Sequence, residues 1–185
     1  MSDYRRLRIP GGSYFFTLAL YDRRSAVLTD APVRAALRTA ILQTRGTRPW
    51  TIDAWVLLRD HLHCIWALPP GDTDYSGRWS TIKRLTSQAV QLPQARPASA
   101  SRLKRRESTL WQRRFWEHGI RDEEDFARHL DYVHWNPVKH GPVPRAADWP
   151  WSSLHRWMGL GVYPPDWGLV EDQEADSDHG EPTWR

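Results

Sequence analysis

Two hydrophobic periodicities trade places along this chain, and their order leaves few folds open. Residues 13–21 (SYFFTLALY) are rich in aromatic and β-favouring side chains and follow Gly11 and Gly12, which predicts a first strand. Over residues 31–44 the apolar positions Val33, Leu37, Ala40 and Ile41 recur three and four apart behind Asp30, a candidate N-cap, and predict a helix. Residues 50–58 and 61–67 are β-type runs divided only by Arg59 and Asp60, so they predict a hairpin that Pro69, Pro70 and Gly71 bring to an end. Residues 79–92 predict a second helix with Ile82, Leu85 and Val90 inward, and residues 111–120 a fourth strand. Residues 122–136 predict a third helix, capped by Asp122 and ended by Pro137 because the residue before a proline avoids helical geometry. The order β-α-β-β-α-β plus one more helix is that of an α+β, ferredoxin-like split βαβ antiparallel sheet, helices on one face, with an extra C-terminal helix and an irregular tail.

The chain has 185 residues, the size of one domain, expected here over residues 1–170. Its net charge of +4 conceals a partition. Residues 171–185 hold six acids and one base, leaving 25 bases against 16 acids, or +9, on residues 1–170. Such an excess points to a polyanionic partner bound through phosphate neutralisation. Only Lys83, Lys104 and Lys139 of the 26 bases are lysines; arginine forks onto phosphate oxygens and stacks on nucleobases, although a GC-rich genome favours it equally. Lys83 and Arg84 are expected on the polar face of the second helix. Residues 93–108 lack hydrophobic periodicity and carry Arg102, Lys104, Arg105 and Arg106, which predicts a mobile basic loop in contact with phosphates. Twelve tryptophans are mostly expected in the core, with two or three left to stack on unpaired bases. No run nears the ~18 apolar residues of a membrane span, and the first residues lack the apolar stretch of a secretory signal, so a cytoplasmic protein is expected. Cys64 is the only cysteine, which excludes an internal disulfide and a cysteine-rich zinc site. A metal would have to be held by histidine, carboxylate, amide or water.

Two groups of residues carry chemistry. Alternation along a strand puts His61 and His63 on one face and Leu62, Cys64 and Trp66 on the other, which suits two adjacent ligands on a divalent cation. The same spacing fits two satisfied polar residues equally well. On the third helix Phe126, Leu130 and Val133 form a core stripe, and His129, Tyr132 and Asn136 a second stripe a quarter-turn away. Tyr132 and Asn136, four apart, are neighbours on one face. An amide at a helix end can complete a metal site while the adjacent phenol reaches a phosphate, yet a half-buried tyrosine hydrogen-bonded through its hydroxyl would show the same pattern.

The His-hydrophobic-His strand, the block Trp111-Gln-Arg-Arg-Phe-Trp-Glu-His118, the block Asp131-Tyr-Val-His-Trp-Asn-Pro-Val-Lys-His-Gly141 and Asp148-Trp-Pro-Trp-Ser-Ser153 together resemble the REP-associated tyrosine transposases. These are single-tyrosine members of the HUH superfamily, and the likeness runs from Tyr4 to about Trp167. It implies that His61, His63 and Asn136 hold a divalent metal, Mg²⁺ or Mn²⁺, and that Tyr132 attacks single-stranded DNA at a REP-type hairpin to form a 5′-phosphotyrosine. It gives no catalytic role to His134 or Trp135. The stretch with Tyr4, Arg5 and Arg6 resembles the part used for hairpin recognition, and Arg113 and Arg114 join the expected DNA contacts. A bacterial, nucleoid-associated enzyme is implied, with monomer and homodimer both open. Two other readings stay open: a hairpin-binding protein that no longer cuts, and a metal-dependent phosphodiesterase using water as nucleophile.

Overall fold

The elements form where side-chain alternation and capping meet. The computed structural model of the chain describes residues 6–90, 110–140 and 142–169. Strands β1 (Ser13–Ala19), β2 (Thr51–Leu57), β3 (His61–Ala67) and β4 (Trp116–Gly119) make one antiparallel sheet in the order β2-β3-β1-β4. This is the split βαβ arrangement expected from the element order. Tyr14, Phe16 and Leu18 of β1 and Leu62, Cys64 and Trp66 of β3 pack on one face against helices α1 (Ala31–Thr47) and α2 (Tyr75–Ala89). Trp66 and Trp79, both 0% exposed, stack at 4.0 Å in the middle of that layer.

Phe15, Ala54, Val56 and Ile65 line the other face, covered by helix α3 (Glu123–Lys139) through Leu130 and Val133. The helix added to the ferredoxin-like order therefore forms a layer of its own opposite α1 and α2. Helix α4 (Leu154–Gly159) follows. The tryptophan-rich segment before it closes the outer edge of β2: Leu57 N donates to Trp151 O at 2.9 Å, Ser153 N to Trp55 O at 2.8 Å, and Trp149 Nε1 to Leu57 O at 2.9 Å. An edge so covered cannot pair with another chain.

Several boundaries differ from the sequence-based expectation. Helix α2 starts four residues early because the Asp74 carboxylate accepts from Gly77 N at 2.8 Å, a cap that hydrophobic spacing does not reveal. Strand β4 is shorter than residues 111–120; Trp111 makes only an isolated bridge to Leu20. Helix α3 does not stop at Asn136 but runs through Pro137 to Lys139. A proline in the last turn removes a single N–H, and His140 N still donates to Asn136 O at 3.0 Å while buried Val138 holds the turn on the sheet. Residues 91–109, containing the expected loop 93–108 with Arg102, Lys104, Arg105 and Arg106, lie outside the described residues, as do Tyr4, Arg5 and the acidic segment 171–185. Among the described residues no helix is long and apolar enough to cross a membrane.

Candidate active site

Antiparallel pairing sets Thr17 opposite His63 and Ala19 opposite His61, which turns both imidazoles to the face under α3. Both are buried, at 5% and 0% exposure, with ring centres 4.9 Å apart. His61 Nδ1 donates to the Asp60 carboxylate at 2.6 Å, so its Nε2 carries the lone pair that can ligate. Arg23 Nε grips the other Asp60 oxygen at 2.5 Å. Burial works against ionisation of Asp60, but hydrogen bonds from His61 and Arg23 prevail and hold the carboxyl well below the usual range. Burial conversely lowers His61, against the pull of Asp60, and keeps the ring in its neutral, ligating form. The Thr17 hydroxyl shares a 2.9 Å hydrogen bond with His63 Nδ1, which makes Nε2 the nitrogen presented for ligation.

From above, α3 delivers the second stripe. The Tyr132 ring stands edge-on to His63 at 5.3 Å, with Phe15 packed against both, and Lys139 Nζ lies 5.1 Å from the tyrosine ring centre. Asn136 Nδ2 donates to Tyr132 O at 2.9 Å, an i to i−4 bond that fixes the amide. Its Oδ1 is buried with no hydrogen-bond partner among the described residues. An acceptor left in that state costs about 1–3 kcal/mol, and a cation is one partner that would satisfy it.

The structure adds a residue that sequence spacing missed. The ring of His140 lies 4.8 Å from His61, and His61, His63 and His140 each offer a nitrogen within 4.8 Å of the others. His140 is exposed as a residue, yet partial desolvation of its ring, then the neighbouring His61, push the imidazole down to about 4, so it is neutral at physiological pH. Reading Pro137 as the helix end placed residue 140 beyond the register that carries Tyr132 and Asn136; continuing the i, i+4 series would have found it.

His118, Asp125 and His129 form a second cluster, stacked ring on ring at 4.5 Å between the two histidines. Its carboxylate is already neutralised: Asp125 accepts from His118 Nε2 at 2.8 Å, from Arg121 at 3.1 Å and from Arg128 at 3.3 Å. The cluster clamps the start of α3 to β4. Burial resists ionisation here too, but the hydrogen bonds from Arg121 and His118 keep the Asp125 carboxyl far below its unfolded value of 3.8. A depressed carboxylate stabilises fully above that unfolded value and loses its contribution as pH falls towards the folded one. Asp125→Asn is therefore expected to cost about 1–3 kcal/mol at neutral pH and to flatten the acid limb of thermal stability between about pH 5 and 2. An acid limb as steep as in the wild type would show that another carboxylate governs it.

No family model matches the chain. A protein of Escherichia coli (strain K12) named REP-associated tyrosine transposase is 46% identical over 176 residues, spanning 95% of this chain and 96% of its own length. The chain belongs to that family. A Haemophilus influenzae (strain Rd) protein provisionally assigned to the REP-associated tyrosine transposases is 45% identical over 179 residues, 96% of this chain and 99% of the relative. A solved structure of a REP-associated tyrosine transposase bound to a REP hairpin superposes with a TM-score of 0.77 at 45% identity, over 95% of this chain and 96% of that one. The fold and the family expected from the sequence are thus both observed.

Of the bases expected to meet DNA, those described gather at the β4 edge on the α2 side of the sheet. Arg6 lies over the Phe115 ring at 4.1 Å and donates to Ser76 Oγ at 2.7 Å; Lys83 Nζ donates to Gln112 O at 2.6 Å. Arg84 pairs with Gln88 at 2.9 Å, and Arg113 and Arg114 are exposed. Arg6 and Lys83 thus also anchor the chain entering β4.

Proposed function

We propose that this chain cuts and rejoins single-stranded DNA at REP-type hairpins, with Tyr132 as nucleophile. The observation that carries the reading is the placement of Tyr132 against His63, beside an Asn136 side-chain oxygen buried without a partner among the described residues. Two buried imidazoles with their Nδ1 atoms already engaged, plus that oxygen, form a nitrogen-and-oxygen donor set that fits a divalent cation. His61, His63 and Asn136 would hold it, and when bound such an ion polarises a non-bridging phosphate oxygen.

Tyr132 Oη attacks phosphorus, the bond from phosphorus to the 3′ oxygen breaks, and the departing strand leaves as a 3′-hydroxyl after taking up a proton. The 5′-phosphate stays on Tyr132 as a phosphodiester. A 3′-hydroxyl of another strand can reverse the step and join DNA without an external energy source. Because a free phenol titrates near 10, the Tyr132 proton must pass to an acceptor as the bond forms. Phe15 and the edge-on His63 ring pack against the Tyr132 ring and hold the phenol in place, while Lys139 puts positive charge beside the ring where phosphate arrives. The relatives' association with REP hairpins supports a hairpin with flanking single strand as the substrate, met by Arg6, Lys83, Arg84, Arg113 and Arg114.

The experiment is incubation of the chain with a hairpin-bearing single strand and a divalent cation, with and without chelator. Cleavage that needs the cation supports the reading; hairpin binding with no cleavage under any divalent ion sinks it. Asp60, which orients His61 from behind, gives a finer check. Asp60→Asn is expected to weaken metal affinity about 10–100-fold, seen as a shift of the metal-activation curve with little change in the plateau. An unmoved curve would remove Asp60 from the site.

A further inference from the structure

We infer that His140 is itself a metal ligand, and that with it the centre selects a first-row transition ion over Mg²⁺. The inference rests on the proposed roles of His61 and His63 and narrows the class of cation they hold. Residues 132, 136 and 140 follow one another at steps of four, so the stripe that presents Tyr132 and Asn136 ends on His140. The His140 ring meets His61 at 4.8 Å and 80°, close to the 4.9 Å and 84° between His61 and His63. Three imidazoles thus surround one point, each with a nitrogen within 4.8 Å of the others.

Contraction onto an ion with bonds of about 2.0–2.1 Å asks little of the fold. His61 and His63 are fixed by Asp60, Thr17 and the strand, whereas His140 is exposed at the C-cap of α3 and can swing. The C-terminal end of a helix also concentrates partial negative charge, which favours a cation there. Donor chemistry then sets the selection. Mg²⁺ binds through oxygen and keeps much of its water, while imidazole suits the ions from Mn²⁺ towards Zn²⁺ increasingly well. A site of three imidazoles and one amide oxygen belongs to the second group.

Co²⁺ serves as the probe, titrated into the metal-free full-length chain without DNA and followed by calorimetry and visible absorption, with Mg²⁺ titrated in parallel. His140→Ala is expected to weaken Co²⁺ binding at least tenfold and to alter its absorption bands, while Mg²⁺ affinity moves less than twofold and the circular dichroism of the apo chain is unchanged. His61→Ala is the control. If His61→Ala loses Co²⁺ and His140→Ala binds it like the wild type, the inference is overturned and the underlying metal site stands. Equal weakening of Co²⁺ and Mg²⁺ by His140→Ala overturns the selectivity. Wild-type Co²⁺ binding in both variants overturns the metal site as a whole.

Discussion

Tyr132→Phe is expected to abolish cleavage of hairpin-bearing single strands, with hairpin affinity kept within a few-fold. The substitution removes one oxygen and leaves the ring that packs on His63 and Phe15. Tyr132 is 6% exposed and its helix is held by Leu130, Val133 and the Asp125 clamp, so the variant should fold as the parent does. Of the other buried tyrosines among the described residues, Tyr14 and Tyr75 belong to the opposite layer, and Tyr163, on the same side as Tyr132, has its hydroxyl committed to the Asp131 carboxylate at 2.6 Å, so none is placed against His63 as Tyr132 is. Activity would therefore drop to background in a denaturing-gel assay, while fluorescence anisotropy with labelled hairpin stays near the wild-type curve. Retained cleavage would assign the chemistry to water or to another residue.

The second large effect concerns the layer that aims the site. Trp66 alternates with His63 and Ile65 on β3, so the strand presenting the histidines on one face is anchored by this indole on the other. It contacts Trp79 at 4.0 Å, Trp50 at 4.6 Å and Phe16 at 5.1 Å, and none of its surface is exposed. Trp66→Ala would leave a cavity that three rigid neighbours cannot fill, at a cost of about 3–5 kcal/mol. Urea unfolding should show that loss as a lower midpoint at unchanged slope. A change below about 1 kcal/mol would mean that the layer repacks, and that β3 is held chiefly by its backbone ladder.

What the sequence disclosed follows from what spacing encodes. Alternation along residues 61–67 predicts correctly which face His61 and His63 share, because a strand of period two permits no other arrangement with Leu62, Cys64 and Trp66 in the core. The four-residue step from Tyr132 to Asn136 likewise survives in the structure, where the amide bonds the tyrosine carbonyl. Contacts between elements were not legible. Arg23 reaches Asp60 from a short turn 37 positions away, and neither stands out as a partner of the histidines. The clamp on Asp125 depends on β4 lying beside the start of α3, which no local pattern states. His140 is hidden for a different reason: the local geometry of Pro137 predicts a helix end that tertiary packing overrides. The tryptophans divide as volume demands, with Trp50, Trp66, Trp79, Trp111 and Trp149 in the core and Trp151 contributing backbone to the β2 edge.

The central claim is that DNA becomes joined to the protein at Tyr132. Its most direct test is intact mass spectrometry of the chain after reaction with a hairpin-bearing single strand, followed by digestion to locate the added mass. The account predicts a covalent adduct in which the 5′-phosphate of the downstream strand is esterified to Tyr132, and a released strand ending in a 3′-hydroxyl. Cleavage with no adduct, the 5′-phosphate emerging free and labelled when the reaction is run in oxygen-18 water, would contradict it.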